Sequence, residues 1–320
     1  MNTSLPKIVC TAALCLAALA AGAQTLPNKP LHLVVPQAAG TGNDVLARSL
    51  ADLLAQRIGQ PVVVENRAGA NGAVAASYVL GQPADGATLL FSGVSNLSWT
   101  PLMYRAIKYQ PSRDFAGVAT IANTPFMTVT AADGPYKDLA GLLAAARAQP
   151  DSINFASYGV GNSTHLASEL IGEKAGVKLY HVPYSGAAAT TSVVAGDVQM
   201  LTTVPSGVAG LIKAGKLRAL AVTGERRLAA FPDVPTFREL GYDIEVPGWY
   251  SIVVRRGTPA AIIEQLNRDI NEILDSAEMK EKLAAQSLDV LKGTPADLDR
   301  TIVRDSQQWA PLIKKLGIQQ

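Results

Sequence analysis

The sequence predicts an α/β protein made of two lobes, each a mostly parallel β-sheet flanked by helices, with a cleft between the lobes. Two observations predict this fold. Short runs of apolar and β-branched residues alternate with alanine-rich helical stretches, and the same alternation starts again near residue 126. The predicted strands are almost uninterrupted apolar runs, which indicates that helices cover both faces of each sheet.

The first unit starts with a strand at residues 31–35, LHLVV, and a helix at 44–58 whose apolar residues recur at helical spacing. A second strand at 61–66 leads through a glycine turn, ENRAGANG, into another helix, and residues 87–92 form a third strand. This βαβαβ order is typical of a parallel sheet.

The second unit repeats the pattern. Its predicted strands are residues 127–130, 153–156, 178–181, 199–203 and 217–224, and its longer helices are residues 139–149, 164–175 and 187–195. No repeat of fixed period occurs, so a solenoid is not expected.

The remaining segment holds one further predicted strand, at 249–254, followed by helices at 259–274, 277–286 and 296–316. One strand is too few for a third α/β domain, so we expect this segment to return and pack on the first unit.

Two chain crossings, near residues 119–128 and 219–225, would then join the lobes. The domain limits expected on this basis are residues 24–124 with 225–320 for lobe 1, and residues 125–224 for lobe 2. Small-ligand sites concentrate where two domains meet, so the cleft is the expected binding site.

Residues 1–23 are interpreted as a secretory signal peptide, because Lys7 precedes an apolar run and an A-x-A triplet precedes Gln24. The run is shorter than the roughly 20 apolar residues that span a bilayer, which argues against a membrane anchor. Both cysteines, Cys10 and Cys15, lie in this leader. The exported protein is therefore expected to have neither a disulfide nor thiol chemistry.

Charge is nearly balanced along the chain. There are 28 basic and 26 acidic residues, and removal of Lys7 with the leader leaves 27 against 26. No run of five like charges occurs, which argues against binding to nucleic acid or to an anionic membrane surface. Small molecules or other proteins are the expected partners.

Two glycine-rich loops each connect a predicted strand to a helix: VPQAAGTGND at residues 35–44 and SYGVGNSTH at 157–165. Free backbone N–H groups in such a loop, together with the following helix N-terminus, attract an anion. The alternative is a tight turn in which Asp44, Ser163 and Thr164 serve as helix caps. The symmetric positions of the loops, one in each unit, favour a carboxylate held between them.

Other chemistries find little support. The loops lack the third glycine of a dinucleotide fingerprint and the lysine of a phosphate-binding loop, so no nucleotide cofactor is expected. No zinc motif or nucleophile elbow surrounds His32, His165 or His181, and no metal is expected. His165 is interpreted as bracing a loop, although its position near Ser163 leaves open a hydrolase or lyase acting on a small organic acid.

Several ordered blocks resemble the tripartite tricarboxylate transporter receptors, the Bug family of bacterial periplasmic solute-binding proteins. They include VPQAAGTGNDVLAR, VVVENRAGANGAVAA, SYGVGNSTHLASEL, HVPYSGAAATTSVVAGDVQM and GWYSIVVRRGTP. The resemblance implies a periplasmic binding protein fold of type II character, which closes on a small carboxylated solute and delivers it to membrane permease subunits. It implies a monomer without catalytic activity or cofactor. A solute sensor that presents its ligand to a membrane kinase is an alternative.

The resemblance also implies which residues hold the ligand. In the first loop they are Gly40, Thr41, Gly42, Asn43 and Asp44, and in the second loop Ser157, Tyr158, Gly159, Gly161, Asn162, Ser163 and His165. Gln37 and Thr203 are added at positions where the family usually has other residues, so the far end of the ligand is left open. Trp249 and Tyr250 are interpreted mainly as core, with an aromatic wall of the cleft as the alternative.

Overall fold

The fold was obtained as a computed structural model that describes residues 25–184, 186–246 and 248–318. The predicted signal peptide and both cysteines lie outside these residues. Within the described ranges, no helix has both the length and the apolar character needed to cross a membrane.

The strands are β1 (Leu31–Val35), β2 (Val62–Asn66), β3 (Thr88–Gly93), β4 (Phe115–Asn123), β5 (Met127–Ala131), β6 (Asn154–Ser157), β7 (Tyr180–Pro183), β8 (Met200–Thr203), β9 (Leu217–Val222), β10 (Trp249–Arg255) and β11 (Asp289–Val290). The helices are α1 (Gly42–Ile58), α2 (Ala73–Leu80), α3 (Thr100–Met103), α4 (Pro111–Asp114), α5 (Leu139–Ala148), α6 (Ser163–Ala175), α7 (Ala188–Ala195), α8 (Ala209–Lys213), α9 (Ala260–Asp275), α10 (Ala277–Ala285) and α11 (Pro295–Lys315). A π-helical turn, Ser95–Trp99, follows β3.

The strands form two sheets, in the orders β11-β4-β10-β3-β1-β2 and β7-β6-β8-β5-β9. Strand β1 pairs in parallel with β2 and β3, and β6 pairs in parallel with β7 and β8. Strands β4, β10 and β11 in the first sheet, and β5 and β9 in the second, join by antiparallel pairs. The two α/β units are confirmed.

Both sheets are mixed, although four of the six strands in the first sheet and four of the five in the second run in one direction, as expected. The antiparallel strands flank the places where the chain passes from one sheet to the other. A strand that enters a sheet after such a passage has no βαβ connection to set its direction, so it is free to run against its neighbours. Strands β5 and β10 enter their sheets in this way, whereas β4, which the sequence did not predict, precedes the first passage.

The connection between the sheets consists of two chain passages that touch each other. Thr124 N donates to Gly248 O at 2.8 Å, and the amide N of Thr223 donates to Phe126 O at 2.8 Å. The Thr223 hydroxyl in turn accepts from Phe126 N at 2.8 Å. A Cβ atom on Gly248 would overlap the carbonyl oxygen of Thr124, so this close crossing requires glycine.

Helices cover the sheets, and one apolar core reaches from the first sheet to the second. Trp99, in the π-helical turn, packs against Trp309 of α11 with ring centroids 4.8 Å apart and the rings tilted by 52°. The same buried cluster includes Phe155 of β6 and Leu166 of α6. The final helix therefore packs on the first sheet, as predicted, and also reaches α6, where Lys315 pairs with Glu173 at 2.9 Å.

Candidate ligand-binding site

A cavity of about 230 Å³ lies where the two sheets face each other. Both halves of the molecule contribute to its wall. The lining residues are Gln37, Asn43, Phe91, Ser92, Gly93, Val94, Ser95, Asn96, Thr124, Phe126, Tyr158, Asn162, Ser163, Thr164, Thr203, Val204, Trp249 and Tyr250. This volume is below the roughly 300–1,000 Å³ of sites for drug-sized molecules, so it has room only for a small molecule.

The first loop is braced by the carboxylate of Asp44, which is 2% exposed. Its Oδ2 accepts from Gly40 N at 2.8 Å and from Arg48 Nε at 2.9 Å, while Oδ1 accepts from Asn66 Nδ2 at 2.8 Å. The bond from Arg48, helped by those from Gly40 and Asn66, lowers the pKa of Asp44 to about 2 despite burial. Asp44 is thus an ionised brace whose hydrogen bonds hold β2, the loop and α1 together.

The cap of α1 differs from the one expected. The helix begins at Gly42, and Thr41 is the N-cap residue, with its hydroxyl accepting from Asp44 N at 3.4 Å. Asp44 therefore lies in the first helical turn, where its negative charge interacts favourably with the positive end of the helix dipole.

The second loop is braced by uncharged contacts. Asn162 is the N-cap of α6, and its Oδ1 accepts from Thr164 N at 3.0 Å. The Thr164 hydroxyl accepts from Tyr158 N at 3.0 Å, which ties the start of the loop to the helix. Gly161, at φ 73°, donates its N–H to His165 Nδ1 at 3.1 Å. A residue with a side chain would be strained at this φ.

Two stacked histidines lie behind the second loop. The rings of His165 and His181 are 3.7 Å apart and nearly parallel, and Phe155 stacks on His181 at 4.9 Å. Burial, and then the neighbouring His165, lower the pKa of His181 to about 4. Nδ1 of His165 accepts from Gly161 N, and its Nε2 lies 3.5 Å from Glu169 Oε1.

The serine–histidine pair found in the structure is not the one that the sequence suggested. Ser157 Oγ lies 2.6 Å from His181 Nε2, and the Ser157 hydroxyl donates to Gly159 O at 3.1 Å. Either atom can donate in the Ser157–His181 bond, and Ser157 Oγ also accepts from Gly159 N at 3.1 Å. Ser157 is fully buried, and neither it nor either histidine lines the cavity.

Both loops end at helix starts that border the same cavity. Asn43 is in the first turn of α1, and Ser163 is the first residue of α6. Amide groups in a first helical turn have no acceptor within their own helix, and the helix dipole adds partial positive charge. The arrangement can hold an anion between two helix N-termini.

Of the residues predicted for the site, six line the cavity: Gln37, Asn43, Tyr158, Asn162, Ser163 and Thr203. The others do not line it: Gly40, Thr41, Gly42, Asp44, Ser157, Gly159, Gly161 and His165. Several of these form the hydrogen bonds that shape the two loops, as described above.

One whole wall of the cavity was not predicted from the sequence. It is formed by the end of β3 and the following turn, residues 91–96, where Ser92 Oγ donates to Asn96 Oδ1 at 3.2 Å. The signal was present in the sequence, because the polar run SGVSN directly follows an apolar strand adjacent to β1. Trp249 and Tyr250 also line the cavity, so they form an aromatic wall while packing in the core as interpreted.

Comparison with known proteins decides the family. A sequence profile described as "tripartite tricarboxylate transporter family receptor" matches residues 46–318 of the chain. The chain belongs to this receptor family. Its relative BugT from Bordetella pertussis is 34% identical over 306 residues, which cover 92% of this chain and 91% of BugT. The resemblance to the Bug family is therefore confirmed.

Solved structures of relatives show the same fold for the receptor. Rpa4515 from R. palustris, determined with adipate, is 32% identical with a TM-score of 0.80, over 91% of this chain and 98% of that protein. MatC from Rhodopseudomonas palustris, determined with bound malate, is 27% identical with a TM-score of 0.77, over 90% and 99% of the two chains. The predicted two-lobed fold of periplasmic binding proteins is confirmed.

Proposed function

We propose that this receptor captures a small carboxylate in the cavity and delivers it to the permease subunits of a tripartite transporter. The observation that carries the proposal is that the N-termini of α1 and α6, at Asn43 and Ser163, border one cavity. Charge-assisted bonds from such amides contribute about 1.5–3 kcal/mol each. The adipate and malate in the related structures support a carboxylate as the ligand.

The ligand acts as a clamp between the lobes in this proposal. We take lobe 1 as residues 24–124 with 225–320 and lobe 2 as residues 125–224. The two chain passages that join the lobes contact each other where Thr124 bonds to Gly248 and where Thr223 bonds to Phe126. Closure is a hinge motion about these passages. A carboxylate favours the closed form only because it bonds to both helix N-termini there, whereas the open form offers one.

The proposed receptor is a non-catalytic, monomeric periplasmic protein. Among the described residues that line the cavity, tyrosine is the only side chain that titrates, and burial raises the pKa of Tyr250 to about 12. A general base for work near neutral pH would have to come from elsewhere. Export is supported by the leader at residues 1–23, and sequencing of the secreted protein is expected to start at Gln24.

A thermal-shift screen over small mono-, di- and hydroxycarboxylates tests the proposed function, with neutral sugars as the control. A carboxylate at a hundred times its dissociation constant is expected to stabilise the receptor by about 2.7 kcal/mol. A melting temperature raised by a sugar and by no carboxylate would overturn the proposal.

A further inference from the structure

The chemistry of the cavity wall points to a particular class of carboxylate. Among the described residues, no lysine, arginine, histidine, aspartate or glutamate lines the cavity. The wall combines the side chains of five aromatic residues with neutral polar groups. A ligand with one negative charge can be held by the two helix N-termini, but a second charge, of either sign, would meet no ionised partner.

Most polar side chains of the wall already have partners within the protein. Ser92 bonds to Asn96, Tyr158 shares a 3.0 Å bond with Thr190, and Asn162 accepts from Thr164. These groups are satisfied without a ligand. They shape the cavity but do not require a hydrogen bond from the ligand.

Two lining groups differ from these because they are buried without any hydrogen-bond partner. They are Oε1 of Gln37, on the side of the first sheet, and Oγ1 of Thr203, on the side of the second. Thr203 is fully buried. An unpartnered buried polar atom is unfavourable by about 1–3 kcal/mol, so each is expected to meet a group of the ligand.

The two atoms differ in what they accept. Gln37 Oε1 has no proton and can only accept, so it requires an O–H or N–H donor and repels a carboxylate oxygen. The Thr203 hydroxyl can donate or accept. A hydroxyl or a primary amide on the ligand satisfies both kinds of partner, whereas a second carboxylate has no proton to give to Gln37 Oε1.

We propose that the ligand is a monocarboxylate with an uncharged hydrogen-bond donor, a hydroxyl or amide group, at its far end, and that Gln37 and Thr203 select for this group. This inference rests on the proposed function, because it assumes that the helix N-termini hold the carboxylate. It distinguishes the receptor's ligand from the dicarboxylate adipate of its relative Rpa4515.

Isothermal titration with acids of equal length and different far ends tests the inference. The probes are hexanoate, 6-hydroxyhexanoate, 6-aminohexanoate and adipate, with the corresponding four-carbon series beginning at butanoate. At the better length, the hydroxy acid is expected to bind roughly tenfold more tightly than the acid with a methyl, ammonium or carboxylate end, since one satisfied buried bond is worth about this factor.

Three variants make the test specific. Gln37→Met keeps the length of the side chain and is expected to abolish most of the tenfold preference for the hydroxyl end, and Thr203→Val is expected to reduce it. Gln37→Glu is expected to favour the ammonium end. Gln307→Met, at an exposed position of α11, should leave all affinities unchanged. Melting temperatures of the variants show that each one is folded.

The outcomes separate the two proposals. Equal or tighter binding of the dicarboxylate, unaffected by Gln37→Met, would overturn the inference and leave carboxylate capture intact. If no acid of either series binds while an uncharged solute does, the proposed function fails and the inference fails with it.

Discussion

The two glycine-rich loops place helix N-termini at the same cavity, but they are braced by opposite means. The loop before α1 is held by an ionised carboxylate, Asp44, with Arg48 and Asn66 around it. The loop before α6 is held by neutral groups, with Gly161 donating to His165 and Ser157 bonded to His181. The first loop is therefore held by an ion pair, and the second by hydrogen bonds to two stacked histidine rings.

The difference teaches how a protein keeps amide groups free for a ligand. Gly40 and Gly161 each give their own N–H to a side chain four residues further on, and this fixes the turn that leads into the helix. The amides at the helix starts are then left for the proposed carboxylate. The two braces should respond differently to mutation and to acid.

The largest effect is expected from Asp44→Ala, which removes the acceptor of three hydrogen bonds, from Gly40, Arg48 and Asn66, and leaves the charge of Arg48 without its ion-pair partner. The free energy of unfolding should fall by about 2–3 kcal/mol, less than the roughly 3–5 kcal/mol of a fully buried pair because Arg48 is 48% exposed. Urea denaturation measures it. Asp52→Ala, at an exposed position of the same helix, is the control and should change little. Equal effects of the two variants would contradict an ionic brace.

Acid should weaken the second loop before the first. The pKa of His181 is lowered from 6.5 to about 4, so the unfolded chain takes up a proton below pH 6.5 while the folded protein does not. Stability from the neutral ring is therefore complete above pH 6.5 and is lost as the pH falls to 4. The matching loss for Asp44, with a pKa lowered from 3.8 to about 2, begins only below about pH 4.

The variant His181→Gln tests this order. Between pH 7 and pH 4.5 the wild type should lose about 2 kcal/mol that the variant does not lose, since one pKa unit corresponds to about 1.4 kcal/mol and the site is only partly buried. Denaturation at both pH values gives the difference. Tyr180→Phe, at the exposed neighbouring position, should follow the wild type. A wild-type and a His181→Gln protein with parallel pH profiles would show that the histidine is not the acid-sensitive element.

The smallest expected effect comes from the helix caps. Asn162 Oδ1 accepts from Thr164 N at 3.0 Å and from two hydroxyl groups, whereas Thr41 accepts one long bond of 3.4 Å. We expect Asn162→Ala to lower the free energy of unfolding by about 1 kcal/mol and Thr41→Ala by about 0.5 kcal/mol. Thermal unfolding of both variants measures the ranking, and the reverse ranking would show that the second loop does not depend on its cap.

The sequence predicted β1, β3 and the helices with apolar periodicity, because their buried residues form a continuous apolar run or recur at helical spacing within one short segment. Strand β4 was missed since FAGVATIAN mixes small and apolar residues and falls at the expected chain crossing. The antiparallel direction of β10 depends on where the returning chain enters the sheet, which no local pattern records. Residue order alone therefore gave two α/β units and not the mixed sheets.

For the site, the glycine loops were found because both glycines and cap residues follow strands directly. The interpretation of His165 as a residue that braces its loop is confirmed by the bond from Gly161 N. What the sequence could not show is that Asp44 bonds to its own loop, while Gln37 Oε1 and Thr203 Oγ1 have no hydrogen-bond partner. In a sequence, an aspartate or a histidine beside a glycine-rich loop is easily interpreted as a ligand-binding residue. Only the geometry shows that its hydrogen bonds are already made.

The central claim is that one carboxylate lies between the N-termini of α1 and α6. Amide chemical shifts of the labelled receptor, followed during titration with 6-hydroxyhexanoate and with adipate, test it most directly. We expect the N–H resonances of Asn43 and Ser163 to move together and to report one dissociation constant for whichever acid binds. Movement of only one of the two resonances, at saturation, would contradict the account.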